Sequence, residues 1–168
     1  MHGLGRDPPI CLVADDVDVL ALRADEEGWR IRTVRSLDDI HIELRAMASR
    51  APAGSRMLDL IGHSTRDHRF LRIGDTGIDV YRPAVARVFD TIRNEGLLAQ
   101  LGIASVRLLG CSTASRPSGQ RTMRRLARML DVPVFGATKD LLKWHYTEDG
   151  FNPKFNHILV EASELTAA

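Results

Sequence analysis

Short apolar runs alternate with helix-like segments along most of this 168-residue chain. Five of the runs are strand-like: ICLVA (10–14), WRIRTV (29–34), RMLDLI (56–61), ASVRLLG (104–110) and VPVFGA (132–137). An alternation of strands and helices is typical of a mostly parallel sheet covered on both faces. The sequence therefore predicts an α/β fold, and its length suits a single domain over residues 1–168.

Three segments between these runs have apolar residues at helical spacing. They cover residues 37–50, 84–100 and 119–130. Ser36 and Ser118 are suited to N-cap positions, and Pro83 can open a first turn. We therefore expect three helices, each starting close to one of these residues.

A β-hairpin is predicted after the third strand. The runs at 69–74 and 78–81 flank the turn-forming residues Asp-Thr-Gly, so we expect the hairpin to be appended to the sheet. Near the end of the chain, HILVEA at 157–162 fits either a last strand or a short helix.

The composition excludes several classes of protein. A net charge of +1 argues against a nucleic-acid-binding surface, and no apolar stretch reaches the roughly 18 residues of a membrane span. The N-terminus has neither the basic nor the apolar region of a signal peptide. Two cysteines are too few for a disulfide scaffold, so a cytoplasmic location is expected. An effector exported without a classical signal would have the same features.

Two of the strand-like runs end in glycine followed by a reactive side chain. LDLIGHST places His63 after Gly62, and VRLLGCSTA places Cys111 after Gly110. In a parallel sheet, ligands bind beyond the carboxyl ends of the strands, where both side chains would lie. A thiolate can attack a carbonyl group, and an imidazole can take up the proton and return it to the leaving group. The pattern predicts a cysteine nucleophile paired with histidine.

The same two turns can supply donors for a developing oxyanion. Gly62 and Gly110 allow sharp turns at the strand ends and expose backbone amides there. We expect the N–H groups of Ser64 and Cys111 to be the oxyanion donors. The other cysteine, Cys11, lies within an apolar run and is interpreted as a small core residue.

These motifs and the order of elements over roughly residues 10–140 resemble the caspase-like cysteine peptidases, a group that includes caspases, metacaspases, separases, CHAT domains and toxin autoprocessing domains. In that family the histidine ends the third core strand and the cysteine ends the fourth, positions that His63 and Cys111 match. Their separation of 48 residues is close to the roughly 50 residues of caspases. The family usually has glycine where this chain has Ser64. LLG before Cys111, in place of the Gln-Ala of caspases, points to a divergent bacterial branch.

The resemblance implies a three-layer α/β/α sandwich with a small hairpin after the histidine strand. It also implies a cysteine endopeptidase, with His63 as general base and acid and Cys111 as the nucleophile that forms an acyl-enzyme. The substrate would be a protein or peptide, and activity would be controlled by self-processing, an effector or a partner domain.

The segment after the fifth strand, ATKDLLKWHYTEDGF, is a candidate wall of the substrate pocket. In the family this segment often shapes the pocket for the residue before the scissile bond, which makes Asp140, Trp144 and His145 candidate substrate-binding residues. The histidines and cysteines lack metal-ligand spacing, and no GxGxxG or P-loop motif is present. We therefore expect no metal and no cofactor.

Two alternatives to a peptidase remain open at this point. One is a catalytically silent caspase-like module that binds a partner protein, which Ser64 favours slightly. The other is a flavodoxin-like protein that binds a small ligand. Selective alkylation of Cys111 over Cys11 would favour the enzyme over the silent module.

Overall fold

The computed structural model describes residues 7–18, 31–50 and 54–165. Its strands are β1 (Ile10–Ala14), β2 (Ile31–Val34), β3 (Arg56–Ile61), β4 (Arg72–Ile73), β5 (Thr76–Gly77), β6 (Ile103–Leu109), β7 (Val134–Ala137), β8 (Tyr146–Thr147), β9 (Gly150–Phe151) and β10 (Leu159–Glu161). Its α-helices are α1 (Leu37–Ala48), α2 (Pro83–Asn94), α3 (Leu97–Gln100) and α4 (Pro117–Leu130). None of these helices is long and apolar enough to cross a membrane.

Six strands form one central sheet in the order β10-β7-β6-β3-β1-β2. Only β10 runs antiparallel to its neighbour, and the other strands pair in parallel. The predicted α/β class with a mostly parallel sheet is confirmed. Because β3 and β6 are adjacent and parallel, their carboxyl ends emerge side by side at the middle of one edge.

Each face of the sheet is covered by a different layer of the chain. The larger core joins one face to the apolar sides of all four described α-helices, through residues such as Ile40, Phe89 and Leu126. On the other face, a smaller cluster packs Phe151 and Ile158 from the C-terminal segment over the sheet. That segment contributes the β8–β9 hairpin and the 3-10 helices Lys143–His145 and Pro153–Ile158. The sheet is therefore flanked by helical layers, consistent with a three-layer sandwich.

Local chemistry explains most helix boundaries. Helix α1 begins after Ser36, whose side chain accepts a hydrogen bond from the Asp39 N–H as predicted. The predicted helix over 84–100 is two helices, because Gly96 adopts a left-handed conformation with φ 69° between α2 and α3. Helix α4 begins at Pro117, and Ser118 is not its N-cap because Arg116 occupies that position.

A hairpin forms in the predicted region, but it is shorter and makes its own two-stranded sheet. Strands β4 and β5 pair across a turn at Gly74, so Thr76 and Gly77 of the predicted turn form the second strand. The predicted strand over 78–81 does not form, because Ile78 and Val80 are drawn into the core. Of the two alternatives for 157–162, the strand is correct at Leu159–Glu161. Residues 29 and 30 of the predicted second strand lie outside the described ranges.

A buried ion pair joins the two central strands. Asp59 on β3 lies opposite Arg107 on β6, and the two residues are 0% and 3% exposed. The Nε and Nη2 of Arg107 each donate to one carboxylate oxygen of Asp59 at 2.6 Å. The Phe151 ring covers the guanidinium at 5.5 Å. Each charge is therefore compensated by its partner in a buried site.

Removing one partner of this pair should destabilise the fold strongly. We expect Asp59→Ala to lower the free energy of unfolding by about 3–5 kcal/mol, because Arg107 would remain buried without a counter-charge. Asp90→Ala, at an exposed helix position, is the control and should change it by less than about 0.5 kcal/mol. Urea denaturation measures both, and equal effects would contradict this account of the pair.

Candidate active site

His63 and Cys111 lie at the same edge of the sheet, two residues beyond the last paired positions of β3 and β6. In that register Ile61 is opposite Leu109, so the chain delivers the imidazole and the thiol from adjacent strands. His63 is exposed, Cys111 is partly exposed, and both line one cavity of about 310 Å³. The structure thus brings the two candidate catalytic side chains to one opening.

The glycines before these residues are required for space rather than for turning. Neither has a backbone conformation in the left-handed region. A Cβ on Gly62 would lie 2.5 Å from the carbonyl oxygen of Arg72, and one on Gly110 would lie 2.8 Å from Ser64 Oγ. The sharp turn expected after β6 occurs instead at Ser112, which follows Cys111 and has φ 56°.

A backbone carbonyl orients the His63 ring. The Nε2 of His63 lies 3.1 Å from the carbonyl oxygen of Asp16, in the turn after β1. A carbonyl can only accept, so this contact assigns the proton of a neutral ring to Nε2 and leaves Nδ1 as the acceptor. Sequence reasoning missed Asp16, because a main-chain carbonyl leaves no signature in residue type.

The side chain of Asp16 holds this turn in place through Arg72 of the hairpin. Asp16 Oδ2 pairs with Arg72 Nη2 at 2.8 Å. The backbone N–H of Arg72 also donates to the carbonyl oxygen of His63 at 2.7 Å. The Nη1 of the same residue donates to the carbonyl oxygen of Gly74 at 2.7 Å. Arg72 therefore links the turn that orients the imidazole to the chain that carries it.

The Cys111 thiol contacts the segment after β7. Its Sγ accepts a hydrogen bond from the Leu141 N–H at 3.4 Å and lies 3.7 Å from the Leu141 carbonyl oxygen. In the described part of the chain, no hydrogen bond joins this sulfur to His63. The thiol thus contacts the Leu141 backbone, whereas the imidazole contacts the Asp16 carbonyl group.

Two amides in the His63 and Cys111 turns have unused donor capacity. The N–H groups of Ser64 and Cys111 donate to no other group within residues 7–18, 31–50 and 54–165. The next amide, that of Ser112, is occupied because it donates to the carbonyl oxygen of Lys139 at 3.0 Å. Ser64 Oγ donates to the carbonyl oxygen of Cys111 at 2.7 Å, which ties the histidine and cysteine turns together.

The segment after β7 does form a wall of the cavity, but not through the three residues selected from the sequence. Asp140 is exposed, and its Oδ1 accepts from Ser112 Oγ at 2.9 Å. Trp144 is 57% exposed and lies outside the cavity lining. The lining residues that this segment provides are Leu141, Leu142, Lys143 and Tyr146.

His145 belongs to the packing beneath this wall. It is 8% exposed, and its Nδ1 accepts the Leu142 N–H at 2.8 Å. Its ring packs edge-on against Phe155 at 4.6 Å between centroids. The structure therefore separates His145 from the cavity, because the adjacent apolar residues draw its ring inward. The Leu-Leu pair in an otherwise polar loop is the signal that could have identified the wall.

The described residues also bear on metal binding. Among them, no group of three or more His, Cys, Asp and Glu side chains is arranged to hold a metal ion. The reactive side chains that this end of the sheet does bring together are the Cys111 thiol and the His63 imidazole.

The two cysteines differ sharply in accessibility. Cys11 is 3% exposed, and burial, reinforced by the carboxylate of Asp59, raises the pKa of its thiol well above the usual range. Cys111 is partly exposed and lines an open cavity. Only Cys111 is therefore placed to react with a molecule from solution.

Alkylation should distinguish the two thiols in the folded protein. Iodoacetamide at neutral pH should label Cys111 and leave Cys11 unmodified, because the thiolate reacts and a buried thiol with a raised pKa forms little of it. Peptide mass spectrometry before and after denaturation locates the label, and unfolding should expose Cys11. Equal labelling of both cysteines in the folded protein would contradict the described burial.

Comparison with known protein families and curated sequences identified no family for this chain. No protein-family model and no curated protein sequence matches the chain. The features of this chain that point to a function are the arrangement of His63, Cys111 and the backbone groups around them.

Proposed function

We propose that this protein is a cysteine endopeptidase that cleaves peptide bonds through an acyl-enzyme. The observation that carries the proposal is the convergence of Cys111 and His63 on one cavity at the ends of adjacent central strands. Two further features support it: the Asp16 carbonyl leaves Nδ1 of His63 free to accept a proton, and the Ser64 and Cys111 amides are available as donors.

In the acylation step, His63 Nδ1 takes the proton from Cys111 Sγ, and the sulfur attacks the carbonyl carbon of the substrate. An S–C bond forms, and the carbonyl oxygen becomes an oxyanion that the Ser64 and Cys111 amides stabilise. The C–N bond then breaks, and His63 returns the proton to the leaving amine. The products of this step are a thioester on Cys111 and a free amine.

In the deacylation step, a water molecule replaces the amine. His63 removes a proton from the water, the resulting hydroxide attacks the thioester carbon, and the C–S bond breaks. The carboxylic acid leaves, and the proton returns to the sulfur. The cycle needs no oxidant and no cofactor, but it needs a reduced thiol, so we place the activity in a reducing compartment such as the cytoplasm.

The contact between Cys111 Sγ and the Leu141 backbone supports the proposal that this activity is regulated. A substrate that engages the thiol must replace the contacts at 3.4 and 3.7 Å. Self-processing or a partner domain that moves the segment after β7 would release the sulfur for attack.

The same contact favours the second candidate function, a silent caspase-like module that binds a partner protein. In that case the sulfur would remain on Leu141, and neither Cys111 nor His63 would matter beyond stability. The substitutions described next separate the two functions.

Replacing either member of the pair should remove peptidase activity without unfolding the protein. We expect Cys111→Ala to abolish turnover and His63→Ala to lower kcat/KM by about 10²–10⁴-fold, because the thiol loses its general base. His68→Ala, an exposed histidine in the turn after His63, is the control and should keep full activity. Cleavage of a peptide library and melting temperatures provide the measurements. Cleavage that persists in Cys111→Ala would overturn the proposal.

Arg72 should act as a positioning residue. We expect Arg72→Ala to lower kcat by about 10–100-fold with less change in KM, because the Asp16 turn would no longer hold the His63 ring. The pH profile of kcat should also change, which loss of stability alone would not produce. Arg93→Ala is the control, since that side chain is exposed on helix α2. An unchanged kcat in Arg72→Ala would refute this positioning role.

A further inference from the structure

We infer that the cavity beside Cys111 binds an apolar side chain, so that cleavage follows residues such as Leu, Met or Phe. This inference rests on the proposed peptidase function. In that reaction the sulfur attacks the carbonyl of the residue before the scissile bond. The side chain of that residue branches from the Cα bonded to the attacked carbon, so it must occupy space next to Cys111. The cavity of about 310 Å³ that Cys111 lines is such a space.

The floor of this cavity is apolar and rigidly placed. Ile61 and Leu109, at the ends of β3 and β6, line it and are only 2% and 1% exposed. Val17 and Leu141 also line it. Tyr146 also lines it, and burial raises the pKa of its hydroxyl further above neutral pH. An aliphatic or aromatic side chain would replace water on all of these surfaces.

The charged residues that line the cavity are already balanced or exposed to water. Asp16 pairs with Arg72 at 2.8 Å, while Asp18 and Lys143 are exposed and carry opposite charges. An acidic substrate side chain would lose water against the floor without gaining a fixed partner there. Within the part of the chain that the structure describes, Asp16 Oδ1 is buried and has no hydrogen-bond partner, so a basic side chain is the competing class that the test must separate.

The test uses peptides that differ only in the residue before the cut: Leu, Phe, Ala, Asp or Lys. We expect kcat/KM for the Leu peptide to exceed that for the Ala peptide by about 10–200-fold, as in other apolar pockets, with Asp and Lys cleaved more slowly still. Cleavage that depends on Cys111 but follows Lys or Asp would overturn the inference and leave the proposed function standing.

Two variants of the same segment test the role of the wall. Leu142 lines the cavity and is 45% exposed, whereas Trp144 is 57% exposed and does not line it. We expect Leu142→Ala to lower kcat/KM for the Leu peptide by about fivefold to tenfold, and Trp144→Ala to leave it unchanged. Equal effects of the two substitutions would count against the assigned wall.

A binding experiment keeps the inference testable if no peptide is cleaved. Peptides that end in Leu, Asp or Lys are titrated into the Cys111→Ala variant and followed by NMR. Tighter binding of the Leu peptide, weakened by Leu142→Ala, would support the apolar cavity while the proposed function fails. Equal binding, or no binding, of the three peptides would overturn the inference as well.

Discussion

The parallel pairing of β3 with β6 determines both the core and the site. It sets Asp59 opposite Arg107 and, two residues further on, Ile61 opposite Leu109. Because side chains alternate along a strand, a shift of the β3–β6 pairing by one residue would separate Asp59 from Arg107. The same shift would move apolar residues to the wrong face of the sheet. The buried pair therefore favours this register over shifted ones, and the register delivers His63 and Cys111 to one edge.

The site is formed by the chain segments that directly follow four parallel strands. The turn after β1 provides the carbonyl of Asp16, β3 and β6 provide the imidazole and the thiol, and the segment after β7 contacts the sulfur through Leu141. Polar contacts between these segments fix them to one another: Arg72 holds Asp16, and Ser64 holds the Cys111 turn. Each reactive group is thus positioned by a neighbour that is distant along the chain.

Much of the fold and part of the site could be predicted from local patterns. Apolar runs located the central strands, the Ser36 cap marked the start of α1, and glycine followed by histidine or cysteine marked the two strand ends. The break at Gly96 was missed, because apolar spacing continues across it. The choice of Asp140, Trp144 and His145 did not identify the cavity wall, because residue type alone does not tell which side of a short irregular segment faces the opening.

The sequence by itself determined the alternation of strands and helices and the placement of a thiol and an imidazole directly after apolar strands. These features depend on periodicity and on residues adjacent in the chain. Tertiary structure alone decided that Arg107 would pair with Asp59, that the Asp16 carbonyl would meet His63, and that Leu141 would contact Cys111. These contacts join residues 30 to 48 positions apart, and the packing of the sheet, rather than any local preference, sets their distances.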